Sequence, residues 1–288
     1  MILVRRFKKR YALFLLFVLY VIVCQSCMKM RMSSVKTQAY FEEKKVDYVD
    51  ESIEFDGHSL HYIQTGNENN PTLFFVHGSP GSWDAFKTYL NDSLLLKKYR
   101  MIAVDRPGFG YSDFGSPENL ATQSKWINEL VRMLDNKQPI ALVGHSLGGP
   151  LIVKMAIDDP KLYSHLVILA GSVDPKAEKP ELWRPILKSK PLRYLIPGAL
   201  RPSNDELWYL KTDLIDMKPH LDEITAEVTI VHGTKDRLVP YSNMAFLQKE
   251  LVNAKKIDTL SIKDADHFIP WSHFEIVRNQ LLKVKHIN

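Results

Sequence analysis

The stretch Gly144-His145-Ser146-Leu147-Gly148-Gly149-Pro150 sets one serine among small residues, with a glycine two positions before it and two glycines soon after. A serine so placed is either a nucleophile held on a strained turn or an ordinary residue of a tight loop. The first role is demanding, because a serine hydroxyl is a weak nucleophile near neutral pH. It requires a general base within hydrogen-bond reach and an acid to orient that base, and the chemistry such a set performs is covalent acyl transfer. Spacing alone leaves both readings of Ser146 open, so the elements around it must decide.

Those elements have a clear rhythm. Val46 to Phe55 and Ser59 to Thr65 alternate as two strands around Asp56-Gly57, a pair that favours a hairpin turn. PTLFFVHG is a continuous apolar run ending in glycine, as expected of a strand buried on both faces. RMIAVDRPG, PIALVGHS, HLVILAGS, VTIVHGT and KKIDTLSI repeat that pattern. Helical spacing is predicted for Ser82 to Leu96, Ser116 to Leu134, Leu147 to Ile157, Met244 to Leu251 and about Trp271 to Val284. Buried strands alternating with helices imply an α/β chain with a mostly parallel sheet covered on both sides. Between Gly171 and Val228 the rhythm breaks, over a stretch rich in proline and aromatic residues. It is predicted to be a cap, at about 173–224, because a long ordered insertion is usually a lid or a binding loop.

With strand PIALV before it and an amphipathic helix after it, G-x-S-x-G stands in the context of a nucleophile elbow. Pro150 falls in the first helical turn, where the missing N–H costs nothing. Here the chain, from about Val46 onward, resembles the α/β-hydrolase family, in its serine-nucleophile esterase and lipase-like branch. The resemblance implies an eight-stranded sheet with the cap inserted after strand 6, and an order of Ser, acid, His along the chain. It places the general base at His267, in DADHFIPW, and the acid at Asp236, in VHGTKDRLVP. His58 and His61 belong to the first hairpin, His273 falls inside the last helix and His286 is too near the terminus. Asp174 is the rival acid, one strand earlier, while Asp266 is expected to face solvent. The oxyanion donors implied are the backbone N–H groups of Leu147 and Ser79, the latter in an HG-x-P loop, His77-Gly78-Ser79-Pro80-Gly81. His77 and the segment Asp105 to Ser112 (DRPGFGYS) are expected to be structural, and His145 to fill the variable position of the elbow.

Competing functions follow from the same residues. Relatives that open epoxides or haloalkanes use aspartate at the elbow, which Ser146 argues against. HGSPG also resembles the HG-x-PG of proline iminopeptidases, which need acidic cap groups for a substrate ammonium. The early cap instead carries Lys176, Lys179, Arg184, Lys188, Lys190, Arg193 and Arg201 against Asp174, Glu178 and Glu181. A small-molecule carboxylic ester or thioester is therefore the expected substrate. A non-catalytic binding protein on the same fold is the reading from a different class. No phosphate loop or metal-ligand constellation is present in the sequence, so neither a cofactor nor a metal is expected.

The net charge of +5 comes from Arg5, Arg6, Lys8, Lys9 and Arg10, without which the 38 basic residues fall to the number of the 33 acidic ones. A neutral body is not a nucleic-acid binder. The basic cluster precedes an apolar run from Tyr11 to Cys24, shorter than the roughly 20 residues that span a bilayer, so residues 1–27 read first as an export signal. Ser26-Cys27 resembles the processing site of bacterial lipoproteins, with Cys27 as the lipidation candidate and Cys24 where that pattern prefers leucine. A retained single-pass signal anchor is the alternative, and ordinary cleavage a third reading. Either of the first two attaches the chain to a membrane; the basic cap then reads first as a solvated charged surface, with a face toward anionic headgroups as the alternative. Residues 28–45 read as a polar tether. Nothing in the sequence sets an oligomeric state.

Overall fold

The short apolar runs Thr72–Val76, Arg100–Val104, Ile140–His145 and His165–Leu169 form the central strands. A computed structural model describes residues 2–284, with side chains from Lys8 onward. His286 and the side chains of Arg5 and Arg6 lie outside that range. The strands are β1 (Tyr48–Phe55), β2 (His58–Thr65), β3 (Thr72–Val76), β4 (Arg100–Val104), β5 (Ile140–His145), β6 (His165–Leu169), β7 (Glu227–Gly233) and β8 (Lys256–Ile262). They make one sheet in the order β1-β2-β4-β3-β5-β6-β7-β8. β2 is antiparallel to both β1 and β4, and every other pair is parallel.

β3, β4, β5 and β6 are buried at every position, because layers cover both faces. One apolar cluster includes Phe74, Ile102, Leu142, Leu151 and Ile168, and the other Leu73, Phe75, Val143, Trp83 and Tyr89. Parallel strands put all their C-terminal ends on one edge of the sheet. The loops after β3, β5, β7 and β8 therefore meet there.

Between β6 and β7 the chain forms the cap, partly helical and partly irregular. It contains the short helix Arg184–Lys188, a 3-10 turn at Leu192–Leu195, a long helix at Leu200–Met217 and a second 3-10 turn at Lys218–Glu223.

Three expectations need correction. The segment read as a tether contains a helix, Ser34–Lys44, and Phe41 on it is fully buried, stacked on Tyr48 at 4.5 Å and facing Trp83 at 6.0 Å. Only Thr37 and Phe41 of its eleven residues are buried, too few to reveal a period in a polar stretch. The helix expected from Ser82 to Leu96 is three short turns, because the Asp92 carboxylate accepts the N–H groups of Leu94 and Leu95 and starts a new one. The last helix is likewise split into Ile269–Ser272 and Phe274–Leu281, with His273 at the break rather than inside it.

At the N-terminus Ile2–Ser26 is one continuous helix, α1. Its portion Lys8–Ser26 is long and apolar enough to cross a membrane and is almost wholly exposed.

Candidate active site

β5 ends at His145, and Ser146 takes the left-handed conformation at φ +55° before the helix Gly148–Asp158 begins. A non-glycine residue held there is strained, and it persists because its neighbours fix it. Ser146 N–H donates to Leu169 O on β6 at 3.0 Å, and Gly149 N–H to Ser146 O at 2.9 Å. Gly148 is required: a Cβ there would lie 2.2 Å from Val76 O. Pro150 is the third residue of the helix, inside the first turn as its ring allows.

His267 and Asp236 come together from the loops after neighbouring strands β8 and β7. His267 Nδ1 donates to Asp236 Oδ2 at 2.7 Å. The other carboxylate oxygen accepts the N–H groups of Leu238 at 2.9 Å and Val239 at 2.8 Å. Burial alone would raise the Asp236 pKa. Hydrogen bonds from His232, His267 and Val239 N–H outweigh it and hold the group well below the usual carboxylate range. Asp236 is thus a fixed anion, and with Nδ1 as donor the other nitrogen of His267 is left as the basic one.

Two histidines that sequence reasoning passed over support this pair. His232 Nε2 lies 3.3 Å from Asp236 Oδ2 and 3.1 Å from Val239 O, bracing the acid loop from β7. His145, expected only to fill the variable elbow position, is buried and donates from Nε2 to His267 O at 3.1 Å. Burial and the nearby His267 push its pKa down to about 3, so it stays neutral near pH 7 and braces the His267 backbone. Neither contact could be read from spacing, since His145 reaches a backbone carbonyl of the loop after β8, and His232 depends on how the loop after β7 folds back to bring the Asp236 carboxylate and Val239 O to it.

The HG-x-P loop crosses beside the elbow, so closely that a Cβ on Gly78 would sit 2.9 Å from the Ser146 Cβ. Leu147 stands at the helix N-terminus, where backbone N–H groups have no intrahelical acceptor. Ser79 Oγ donates to Ser203 Oγ on the cap helix Leu200–Met217 at 2.8 Å. Beneath the loop, Arg106 donates from Nε to His77 O and from Nη2 to Gly78 O, both at 2.9 Å, and its N–H donates to His77 Nε2 at 3.0 Å. Burial, first of all, keeps His77 neutral by pushing its pKa well down. Asp105 accepts from Trp83 N–H, Tyr111 N–H and His61 Nδ1. His77 and Asp105 to Ser112 therefore have the bracing position expected of them.

The remaining candidates stand apart. Asp174 accepts Lys176 N–H at 2.8 Å within its own turn, and Asp266 is exposed, accepting Phe268 N–H at 2.9 Å. Cys27 is exposed just after α1. Among the described residues no group of three or more His, Cys, Asp or Glu could hold a metal ion.

The profile of the family described as alpha/beta hydrolase fold matches residues 71–195. An uncharacterized hydrolase, YugF of Bacillus subtilis (strain 168), is 27% identical over 78% of this chain and 94% of its own length. Epoxide hydrolase 3 of Xenopus tropicalis is 30% identical over 39% of this chain, which spans 31% of that protein. Among solved structures, a bacterial membrane phospholipase A superposes with a TM-score of 0.61 and 16% identity, over 97% of this chain and 100% of that one.

Proposed function

We propose, from the fold and from the match of residues 71–195 to the alpha/beta hydrolase fold family, that the chain is a serine hydrolase of carboxylic esters or thioesters, acting through an acyl-enzyme. Ser146 Oγ attacks the carbonyl carbon as the free nitrogen of His267 takes its proton. The tetrahedral oxyanion is met by the backbone N–H groups of Leu147 and Ser79. His267 then returns the proton to the leaving alcohol or thiol, and the Ser146 acyl ester is cleaved by water activated in the same way. Asp236 stays ionised throughout and holds the imidazole. The observation that carries this reading is the 2.7 Å contact between His267 and Asp236, delivered from adjacent strands to the edge where the elbow stands.

The cap's own carboxylates speak against the peptidase alternative. Glu206 is paired with Arg106 and Asp205 with Arg193 at 3.0 Å, so both buried acids are already neutralised by arginine rather than offered to a substrate ammonium. Epoxide opening needs a carboxylate where this chain has the Ser146 hydroxyl. For attachment to a membrane, the docking of α1 on the cap favours a retained anchor over processing at Cys27, since a cut there would remove every α1 contact with the body.

A panel of esters of increasing acyl length, run beside a prolyl amide on wild type and Ser146→Ala, tests the reading. Ester turnover that disappears in the variant is expected. Prolyl amide turnover exceeding that of every ester would overturn it.

A further inference from the structure

Resting on the serine-ester reading, we infer that the edge of the sheet carrying Ser146 faces the bilayer that holds α1, and that the substrate is a membrane-resident lipid ester entering from that bilayer. At 1.5 Å per residue, Lys8–Ser26 is about 28 Å long, close to the thickness of a hydrocarbon core. Its flanking cations Lys8, Lys9 and Arg10 lie at the end away from the body.

The other end is built into the cap. Tyr20 Oη donates to Leu195 O at 2.8 Å and Gln25 Nε2 to Tyr194 O at 2.7 Å. Gly198 N–H donates to Cys24 O at 2.8 Å, and Ala199 N–H to Met28 O at 2.9 Å. Cys24 and Ala199 are buried by this contact, and a Cβ on Gly198 would lie 2.2 Å from Met28 O. The cap turn thus grips α1 from Tyr20 onward. Tyr20 stands about 9 Å along the axis from Ser26, so the turn reaches the depth of the headgroup and acyl boundary.

The next residues lead directly to the site. Met30 O accepts from Ser82 Oγ at 2.8 Å, one residue past the HG-x-P-G loop, and the Arg31 guanidinium lies 3.9 Å over the Tyr111 ring while donating to Gly110 O. Apolar side chains are exposed on the elements gathered at this end: Leu182, at 82% exposure, Trp183 and Ile186 on the cap, and Leu238, Phe268 and Trp271 on the loops bearing Asp236 and His267. Exposed apolar groups concentrated around a site mark a surface that meets something apolar. Four of the seven cap cations are held within the protein: Arg193 and Arg184 pair with Asp205 and Glu181, and Arg201 and Lys188 bond to Gln25 and Tyr209. The contact is therefore apolar, and it does not require the anionic headgroups that the basic cap suggested.

The test uses the full chain reconstituted in phosphatidylcholine vesicles without anionic lipid. Fatty acid release from the vesicle lipid and hydrolysis of a water-soluble short-chain ester are measured on one sample. Both are expected. Leu182→Ser/Trp183→Ser/Ile186→Ser, and separately Tyr20→Phe/Gln25→Ala, should lower lipid hydrolysis by about tenfold while soluble ester hydrolysis changes by less than about twofold. Cleavage of the soluble ester with the lipid untouched overturns the inference and leaves the serine-ester reading standing. So do variants that lower both rates equally or neither. If neither substrate is cleaved, the serine-ester reading fails and this inference with it.

Discussion

Glu206 on the cap closes a two-pronged ion pair on Arg106, with Oε2 2.7 Å from Nη1 and Oε1 2.9 Å from Nη2. Both side chains are buried, and the same guanidinium holds the carbonyls of His77 and Gly78. Together with the Ser79 to Ser203 contact, this joins the cap to the HG-x-P loop, on which the oxyanion donor Ser79 is proposed. A substrate that shifts the cap would therefore act on the same unit that the proposed mechanism uses to stabilise the oxyanion.

Breaking that pair from one side leaves a buried charge without its partner. Glu206→Gln should destabilise the protein by about 3–5 kcal/mol, read as a lower urea midpoint with an unchanged slope. Replacing both residues by leucine and methionine should recover part of the loss, because no charge is then stranded. A single variant as stable as wild type would show that the pair is not under the stress its burial implies.

Asp236→Asn should keep the fold and lose about 10⁴ in turnover, since the amide can hold His267 in the wrong tautomer. Stopped ester assays on the folded variant check this. Near-normal turnover would remove Asp236 from the site.

Ser146 occupies a conformation that only glycine adopts without strain. Ser146→Gly should abolish turnover yet raise stability by about 1–2 kcal/mol, measured by chemical unfolding. A loss of stability would mean that the hydroxyl, rather than the backbone, decides the energetics there.

His61 gives stability a pH dependence. It sits between Asp105 and Asp50, 2.8 Å from each. Burial alone would lower its pKa, but hydrogen bonds and charge from Asp105, then Asp50, outweigh it and leave the pKa raised. A raised folded pKa adds stability that is complete below the unfolded value of about 6.5 and is lost as pH rises through the folded value. The stability gap between wild type and His61→Gln should thus be larger near pH 6 than near pH 8.5. A gap that grows with pH would contradict this sign.

If α1 is a retained anchor, protein purified from membranes should carry the residues before Cys27. Intact mass reads this directly. A product beginning at a lipidated Cys27 would return the chain to the lipoprotein reading.

The central strands β3 to β6 were legible in the sequence because each is a run of apolar residues buried on both faces, and the first hairpin because its strands flank Asp56-Gly57. Ser146, Asp236 and His267 could be proposed from the sequence because their types, and the strands before them, fit one chemistry, and the structure pairs the last two. His145 and His232 were not, because each earns its role through contacts with atoms of other loops. Nor was the Ser34–Lys44 helix, whose buried face amounts to Thr37 and Phe41. The docking of α1 was hidden for a further reason: the apolar run from Tyr11 to Cys24 looks the same whether its end is free or gripped by Leu195 and Gly198. Length led toward an export signal; the helix extends beyond that run at both ends, to Ile2 and Ser26, a length that suits a retained anchor as well.

The central claim is that Ser146 is an activated nucleophile. Incubation of the full chain with a fluorophosphonate, followed by peptide mass mapping, tests it most directly. Labelling of wild type at Ser146, absent in Ser146→Ala and strongly slowed in Asp236→Asn, is the predicted result. An unreactive wild type, or equal labelling of Ser146→Ala, would contradict it.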